Sequence, residues 1–383
     1  MKEKIPIRMT ILLLFLILAI GGKELTCLKQ REDTSRALMN HQVNKTILVE
    51  GGDVYDCIGV NVQPAFNNPL LKDHKIQMEP SSIPLITYVE SPSMHSMPQT
   101  QLPIIDCPIG TIPILRKNRM DNIAVKTIDV VISKDFQKEG AGIKYKDELY
   151  GTRAKINVYA PKVETDSKDI SASSIQMNGG PNPGFRDGIG AGSFVYPSYS
   201  GDNFARFHVY WDDGLPTTIC IDHDCPGFVQ VSRSVGLGGR IKPISVYKGT
   251  QYVIDVLIFK DRKTKNWWVA YGEQNTPIGY WPSSIFQYMK DKCDFAFWGG
   301  YVQGPTASTN SPQLGSGHFA SEGFGKASFI KNIQIVDKNN RLATPNVHRS
   351  FPGSTNSSKY TSSNYEVNNY GMHMYYGGPG DLV

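Results

Sequence analysis

Few places in this chain could carry chemistry. The hexapeptide Cys220-Ile221-Asp222-His223-Asp224-Cys225 brings together two thiols, an imidazole and carboxylate side chains. Such donors can hold zinc, but a second pair of ligands at standard spacing is missing. A local disulfide between Cys220 and Cys225 is the expected reading. Glu322 could be mistaken for a catalytic acid, yet its Glu-Gly-Phe-Gly-Lys setting reads as a turn that feeds the next strand. No Gly-x-Ser-x-Gly elbow, His-Glu-x-x-His helix or Walker loop occurs, and the eight histidines are scattered. What remains are two glycine-rich, aromatic stretches, Ile189-Gly190-Ala191-Gly192-Ser193-Phe194-Val195-Tyr196-Pro197 and Phe297-Trp298-Gly299-Gly300-Tyr301-Val302. Glycine inside a strand removes the side chain that would block a ligand or a second backbone. The plainer readings are turn geometry for Gly299-Gly300 and core packing for most of Trp267, Trp268, Trp281 and Trp298.

The elements that must position these stretches are strands. Ala154, Ile156 and Val158 alternate with Lys155 and Asn157; Phe207, Val209 and Trp211 alternate with Arg206, His208 and Tyr210. Further runs from Tyr252 to Phe259 and from Ser328 to Ile335 keep the period of two, and Gly-Asp-Asn, Asp-Asp-Gly and Lys-Gly-Thr turns punctuate them. This pattern predicts an antiparallel all-β domain, a sandwich of two stacked sheets. The run from Tyr252 to Phe259 is largely apolar on both faces, as a strand between two layers should be. One short helix is expected from Ser283 to Lys290, with Ser283 or Ser284 as its cap.

The 383 residues include 36 glycines and 24 prolines, which favour strands and turns over long helices. The net charge of +5 is mild and no basic cluster stands out, so nucleic acid is not an expected partner. Lys2, Lys4 and Arg8 precede an apolar run from Ile11 to Ile20 and the small residues of Ala19-Ile20-Gly21, the pattern of a signal peptide over residues 1–21. A secreted, soluble monomer, free of the membrane after cleavage and needing no cofactor or metal, is the expectation. Export makes disulfides expected among the six cysteines, and makes Asn44 and Asn356 glycosylation acceptors. Residues 22–125 form a segment of their own, rich in Pro, Ser, Met and Gln from Glu79 to Pro103, ahead of a domain over 126–383. The charged stretch from Arg116 to Val125 is either a processing site or a solvated linker.

Longer motifs run through nearly all of the exported chain. They include Cys57 to Phe66 leading into Asn68-Pro69-Leu70-Leu71-Lys72, Cys107-Pro108-Ile109-Gly110-Thr111, Tyr150-Gly151-Thr152-Arg153, Gly279-Tyr280-Trp281-Pro282-Ser283-Ser284, Gly315-Ser316-Gly317-His318-Phe319 and Tyr375-Tyr376-Gly377-Gly378-Pro379-Gly380. Together they resemble the neprosin family, plant-type secreted glutamic peptidases that cut beside proline and carry an N-terminal activation peptide. The resemblance implies that residues 22–125 are a propeptide, that Cys57 pairs with Cys107, and that Cys220 pairs with Cys225. Cys27 and Cys293 are then left over, expected free or else paired with each other or with another chain. A further cysteine pair that the family usually carries near its C-terminus is missing here.

In that family each glycine-rich strand contributes one catalytic glutamate, and the matching positions here hold Gly190 and Tyr301. The reaction needs two carboxyls, one taking a proton from water and the other donating to the carbonyl or leaving nitrogen. Gly190 has no side chain, and a tyrosine of ordinary pKa near 10 is no base in acid. The resemblance therefore implies a catalytically deficient member that keeps a peptide-binding cleft at Ser193, Tyr196, Trp298, Gly299 and Gly300. Tyr301 would fill the space of the two lost glutamates, with Gly190 leaving room for it. Its expected ligands are its own propeptide, a peptide or proline-rich protein, or cell-wall carbohydrate. Two alternatives stand beside this one. Displaced acids, Asp187, Glu273 or Asp294, could support an active acid prolyl endopeptidase. Tyr196, Tyr199 and Trp211 could stack on sugar rings in a carbohydrate-binding sandwich.

Overall fold

The computed structural model describes residues 43–86, 97–116, 132–133, 137–182, 185–214, 218–368 and 371–381. Lys45–Val383 forms one compact unit. The signal-peptide region, Cys27, and the expected processing stretch beyond Arg116, with the boundary at Val125, lie outside the described residues.

The period-two runs fold as strands, and two antiparallel sheets result. One has the order Ser350–Ser354, Gln137–Tyr145, Phe295–Gly304, Ile170–Asn182, Phe185–Val195, Arg206–Asp213, Thr218–Ile221, Ile132–Ser133. The other is built on Thr276–Trp281, Trp267–Tyr271, Val253–Lys260, Gly151–Asn157 and Ser328–Val336, with Gly371–Gly377 also paired to the last of these. A single core joins them: Ile143, Ile175, Ile189 and Val209 of the first sheet pack in one cluster with Ile156, Val256, Trp268 and Ile330 of the second. Trp298 crosses the gap and donates its indole N–H to the Thr152 hydroxyl at 2.7 Å. Val253–Lys260 is buried at every position, as its largely apolar sequence requires, and its Asp255 is paired with Arg153 at 2.8 Å.

The expected helix from Ser283 to Lys290 is absent; Ser283–Ile285 makes one 3-10 turn with no side-chain cap, and Phe286 is already extended. The backbone groups beyond it are taken by tertiary partners. The Asp187 carboxylate accepts from the N–H groups of Tyr288 and Met289, and the Met289 carbonyl accepts from the Trp267 indole at 2.7 Å. A helical ladder would have to give these up.

The N-terminal segment adds a small sheet of Val43–Leu48, Val54–Gly59 and Thr111–Leu115, closed by the Cys57–Cys107 disulfide. Cys220 and Cys225 are also bonded to each other, so their thiols are not available to zinc. Cys293 is free and buried. The segment lies along the sandwich. Thr100 N–H donates to the Val253 carbonyl, Gln101 N–H to the Lys242 carbonyl, and Leu85–Ile86 pairs in parallel with Arg341–Leu342. Among the described residues no helix is long and apolar enough to cross a membrane.

Candidate functional site

Alternation along each strand decides which side chains leave the core. On Phe295–Gly304 the core takes Ala296, Trp298 and Val302, so Phe297, Gly299 and Tyr301 point to the outer face. On Phe185–Val195 the core takes Ile189, Ala191 and Val195, which leaves Gly190, Gly192 and Phe194 outside. The same rule sends Lys138, Ser174, His208, Tyr210 and Asp212 outward from neighbouring strands.

The expected cleft residues therefore separate. Tyr196 and Gly299 belong to the outer face, but Ser193, Trp298 and Gly300 do not. Trp298 is wholly buried between the sheets. Ser193 pairs across strands with Phe207, which is in the core. A Cβ on Gly300 would meet Tyr376 and Leu314, also core residues. Glycine at 299 serves another purpose: a Cβ there would come within 3.0 Å of Phe297 Cζ, and one on Gly142 within 2.5 Å of Phe297 Cε2. The Phe297 ring covers the space these glycines open.

The positions assigned to glutamates are filled by tyrosines. Gly190 pairs with Tyr210 on the next strand. A Cβ built on Gly190 would lie 2.5 Å from Tyr210 Cε1, and closer still to its Cζ and hydroxyl. The phenol that occupies the vacated space is thus that of Tyr210, not of Tyr301 as the sequence suggested. Tyr210 and Tyr301 join Phe194, Tyr196, Ala172 and Ile221 in an aromatic cluster separate from the main core. Phe194 lies between the two tyrosines, its ring 5.6 Å from that of Tyr210 and 6.4 Å from that of Tyr301. Nζ of Lys138 sits 3.7 Å from the Tyr301 ring centroid, a cation–π contact.

Burial pushes both phenols upward, and Tyr301 rises further through the neighbouring Tyr210 hydroxyl. The two hydroxyls are close enough to interact, as are those of Tyr210 and Ser174, but Tyr210 and Ser174 complete no well-aligned hydrogen bond. Both tyrosines stay protonated wherever a carboxylate pair would be dividing one proton. The Lys138 side chain is accessible to water, yet protein around its ammonium pushes it down to about 8 against the pull of Asp212, so it remains charged at neutral pH. The hydroxyls of Tyr210 and Ser174 are buried, so the accessible donor on this part of the face is the Lys138 ammonium. The carboxylate nearest in register, Asp212, pairs with Gly188 and not with Gly190. Alternation placed Tyr210 outside already in the sequence, but not its pairing with Gly190.

Among the described residues His208 and Ser174 do not form a nucleophile–base pair. His208 Nδ1 lies 2.6 Å from the Asp222 carboxylate, and its ring is packed by Phe194 and Tyr199. Ser174 stands in the same cross-strand row, but Gly192 separates the two, which puts the serine strand and the histidine strand roughly 10 Å apart. The candidate stand-in acids have structural roles away from this face. Asp187 holds the N–H groups of Tyr288 and Met289, Glu273 pairs with Lys155 at 2.6 Å, and Asp294 pairs with Arg186. The aromatic residues considered for sugar stacking are also occupied. Trp211 is in the core, and Tyr196 is stacked by Tyr199 at 5.4 Å with an interplanar angle of 6°. Asn44 is exposed and Asn356 half-buried, its side-chain oxygen accepting from Ser358 at 2.7 Å.

An antiparallel sandwich whose two glycine-rich strands lie in one sheet on either side of Ile170–Asn182, preceded by a disulfide-closed segment, defines a class: peptidase-like β-sandwiches with an activation segment. The neprosin signature matches residues 167–379, more than half of the chain, and the neprosin activation peptide signature matches residues 46–150. The chain belongs to the neprosin family. Among solved structures, one described as scytalido-glutamic peptidase with a peptide-based transition-state analog is similar at 9% identity and a TM-score of 0.35, the match covering 64% of this chain and 98% of that one. Another, SCP-B of the eqolisin family in complex with the tripeptide Ala-Ile-His, is similar at 8% identity and a TM-score of 0.33, covering 63% and 98%. A CBM40 domain from Ruminococcus gnavus IT-sialidase bound to α2,6-sialyllactose matches 45% of this chain and 91% of that one at a TM-score of 0.21 and 14% identity.

Proposed function

We propose that this protein is a secreted, catalytically deficient member of the neprosin family that binds a peptide without cutting it. The observation that carries the reading is the Tyr210 phenol lying over Gly190, with Tyr301 at the second position. Water activation needs a base that ionises in acid, and both phenols are held protonated by burial. The exposed Lys138 ammonium suits peptide carbonyl oxygens, which are acceptors. Export is supported by the two disulfides and by the apolar N-terminal run. On this reading residues 22–125 are the propeptide and 126–383 the binding domain.

The test is calorimetric titration of the full chain with a proline-containing peptide, followed by mass spectrometry of the mixture. Saturable binding with the peptide recovered intact is the expected result. Absence of binding, or a shortened peptide, would reject the reading.

A further inference from the structure

We propose that the cavity walled by Lys260, Arg262, Lys265 and Lys338 binds a small oxyanion, a carboxylate, phosphate or sulfate group, against the buried ammonium of Lys260. The cavity measures about 210 Å³ and is unconnected with the Tyr210–Tyr301 face. Tyr150, Asp261, Asp291, Asp337 and Asn340 complete its wall.

Lys260 is the unusual member. It ends the Val253–Lys260 strand and is only 4% exposed. Its ammonium donates to the Lys265 carbonyl at 2.8 Å and lies 4.4 Å from the Trp267 ring centroid, and it makes no ion pair with a carboxylate. A buried ammonium without an anionic partner is costly, because lost hydration is not replaced by an opposite charge. Burial accordingly pushes the amine down to about 8, while the Cys293 thiol and Asp291 pull it up and Lys265 pulls it down. At neutral pH it still carries its charge.

Among the described residues no wall carboxylate comes within ion-pair distance of the Lys260 ammonium. Asp261 is occupied by the Ser81 hydroxyl and N–H, the Gln77 amide and the N–H groups of Lys263 and Thr264. Asp337 accepts from the N–H groups of Asn339 and Arg341 at 2.8 and 2.9 Å. Asp291 acts on Lys260 at a distance only. Two of the three carboxylates thus point their lone pairs at backbone donors. Four cationic and three acidic side chains line the cavity, and an oxyanion supplies the direct anionic partner that the Lys260 ammonium lacks, along with acceptors for ammonium and guanidinium N–H groups.

Calorimetric titration of the full chain with sodium sulfate, phosphate and acetate, each in a low-salt buffer at pH 6, tests this. One saturable site per chain for at least one of the three is expected, at least tenfold weaker in Lys260→Met and weakened also in Lys338→Ala. Acetate as the best ligand would point to carboxylates of a peptide or acidic sugar; sulfate or phosphate would point to a free inorganic anion. The Lys338 variant keeps the test decisive if Lys260→Met does not fold, because Lys338 is not part of the core. No saturable binding of any of the three, or binding that both variants leave unchanged, would overturn the proposal.

Discussion

Tyr210 is the residue on which the reading of the site turns. Its phenol stands where a side chain at Gly190 would grow. Restoring a glutamate there therefore meets an occupied space, and overpacking of this kind typically costs about 1–3 kcal/mol. Gly190→Glu is expected to destabilise the fold by that order in denaturant unfolding, and to cost less when made together with Tyr210→Ala. The two changes should be coupled by about 1 kcal/mol or more, since they compete for one volume. Additive effects would show that the phenol and the new carboxyl do not meet. By the same argument Gly190→Glu with Tyr301→Glu, without a change at Tyr210, should not rebuild a working pair. The reading that both acids are replaced rests on the resemblance at Gly190 and Tyr301. The filling of the space at Gly190 by Tyr210, twenty positions away, could not be read there, because cross-strand register depends on pairing and not on the alternation of either strand alone.

At the level of elements, strands were legible wherever polar and apolar residues alternate or where a run is largely apolar, as in Gly151–Asn157 and Val253–Lys260. The stretch after Pro282 was not. Its local composition favours a helix, but Asp187 and Trp267 take its backbone groups, and both are remote in sequence. The same remoteness hid which face Ser193, Trp298 and Gly300 occupy. A second long-range contact leads to a pH prediction. Burial pulls the Asp261 carboxyl upward, but donors from Thr264, Ser81 and Gln77 outweigh it and hold the carboxyl at about 2, below its ordinary 3.8. A depressed carboxyl stabilises the folded contact fully above about pH 4, and that contribution is lost as the pH falls toward 2. Hydrogen exchange of residues 77–81 should therefore speed up between about pH 4 and 2 relative to the core strands. Asp261→Asn should show fast exchange already at neutral pH and lose this dependence. Exchange unaffected by the substitution would show that Asp261 does not hold the segment.

On the scale of the whole molecule, the N-terminal segment is tied to the sandwich through buried charge. Arg206, 3% exposed, donates to both oxygens of Asp53 at 2.9 Å, to Asp202 and to the Gly238 carbonyl. Arg240 adds a bond to Asp202 at 3.0 Å. Removing one partner leaves a buried charge less than fully compensated, so Asp53→Ala should cost about 3 kcal/mol, read as a lower denaturant midpoint. A cost below about 0.5 kcal/mol would place this pair with exposed surface bridges. The Cys57–Cys107 bond closes a loop of 50 residues and the Cys220–Cys225 bond one of 5. Loop-closure entropy makes the first worth about 4 kcal/mol and the second about 2 kcal/mol, so Cys57→Ser should lower the midpoint more than Cys220→Ser. The central claim, a family fold without the family's chemistry, is tested most directly by incubating the full chain and its Tyr301→Phe variant with a proline-containing peptide from acidic to neutral pH and following the products by mass spectrometry. The account predicts an intact peptide with both proteins at every pH. Cleavage beside proline by the unmodified chain, unchanged in Tyr301→Phe and abolished by replacing an acid such as Asp212, would contradict it.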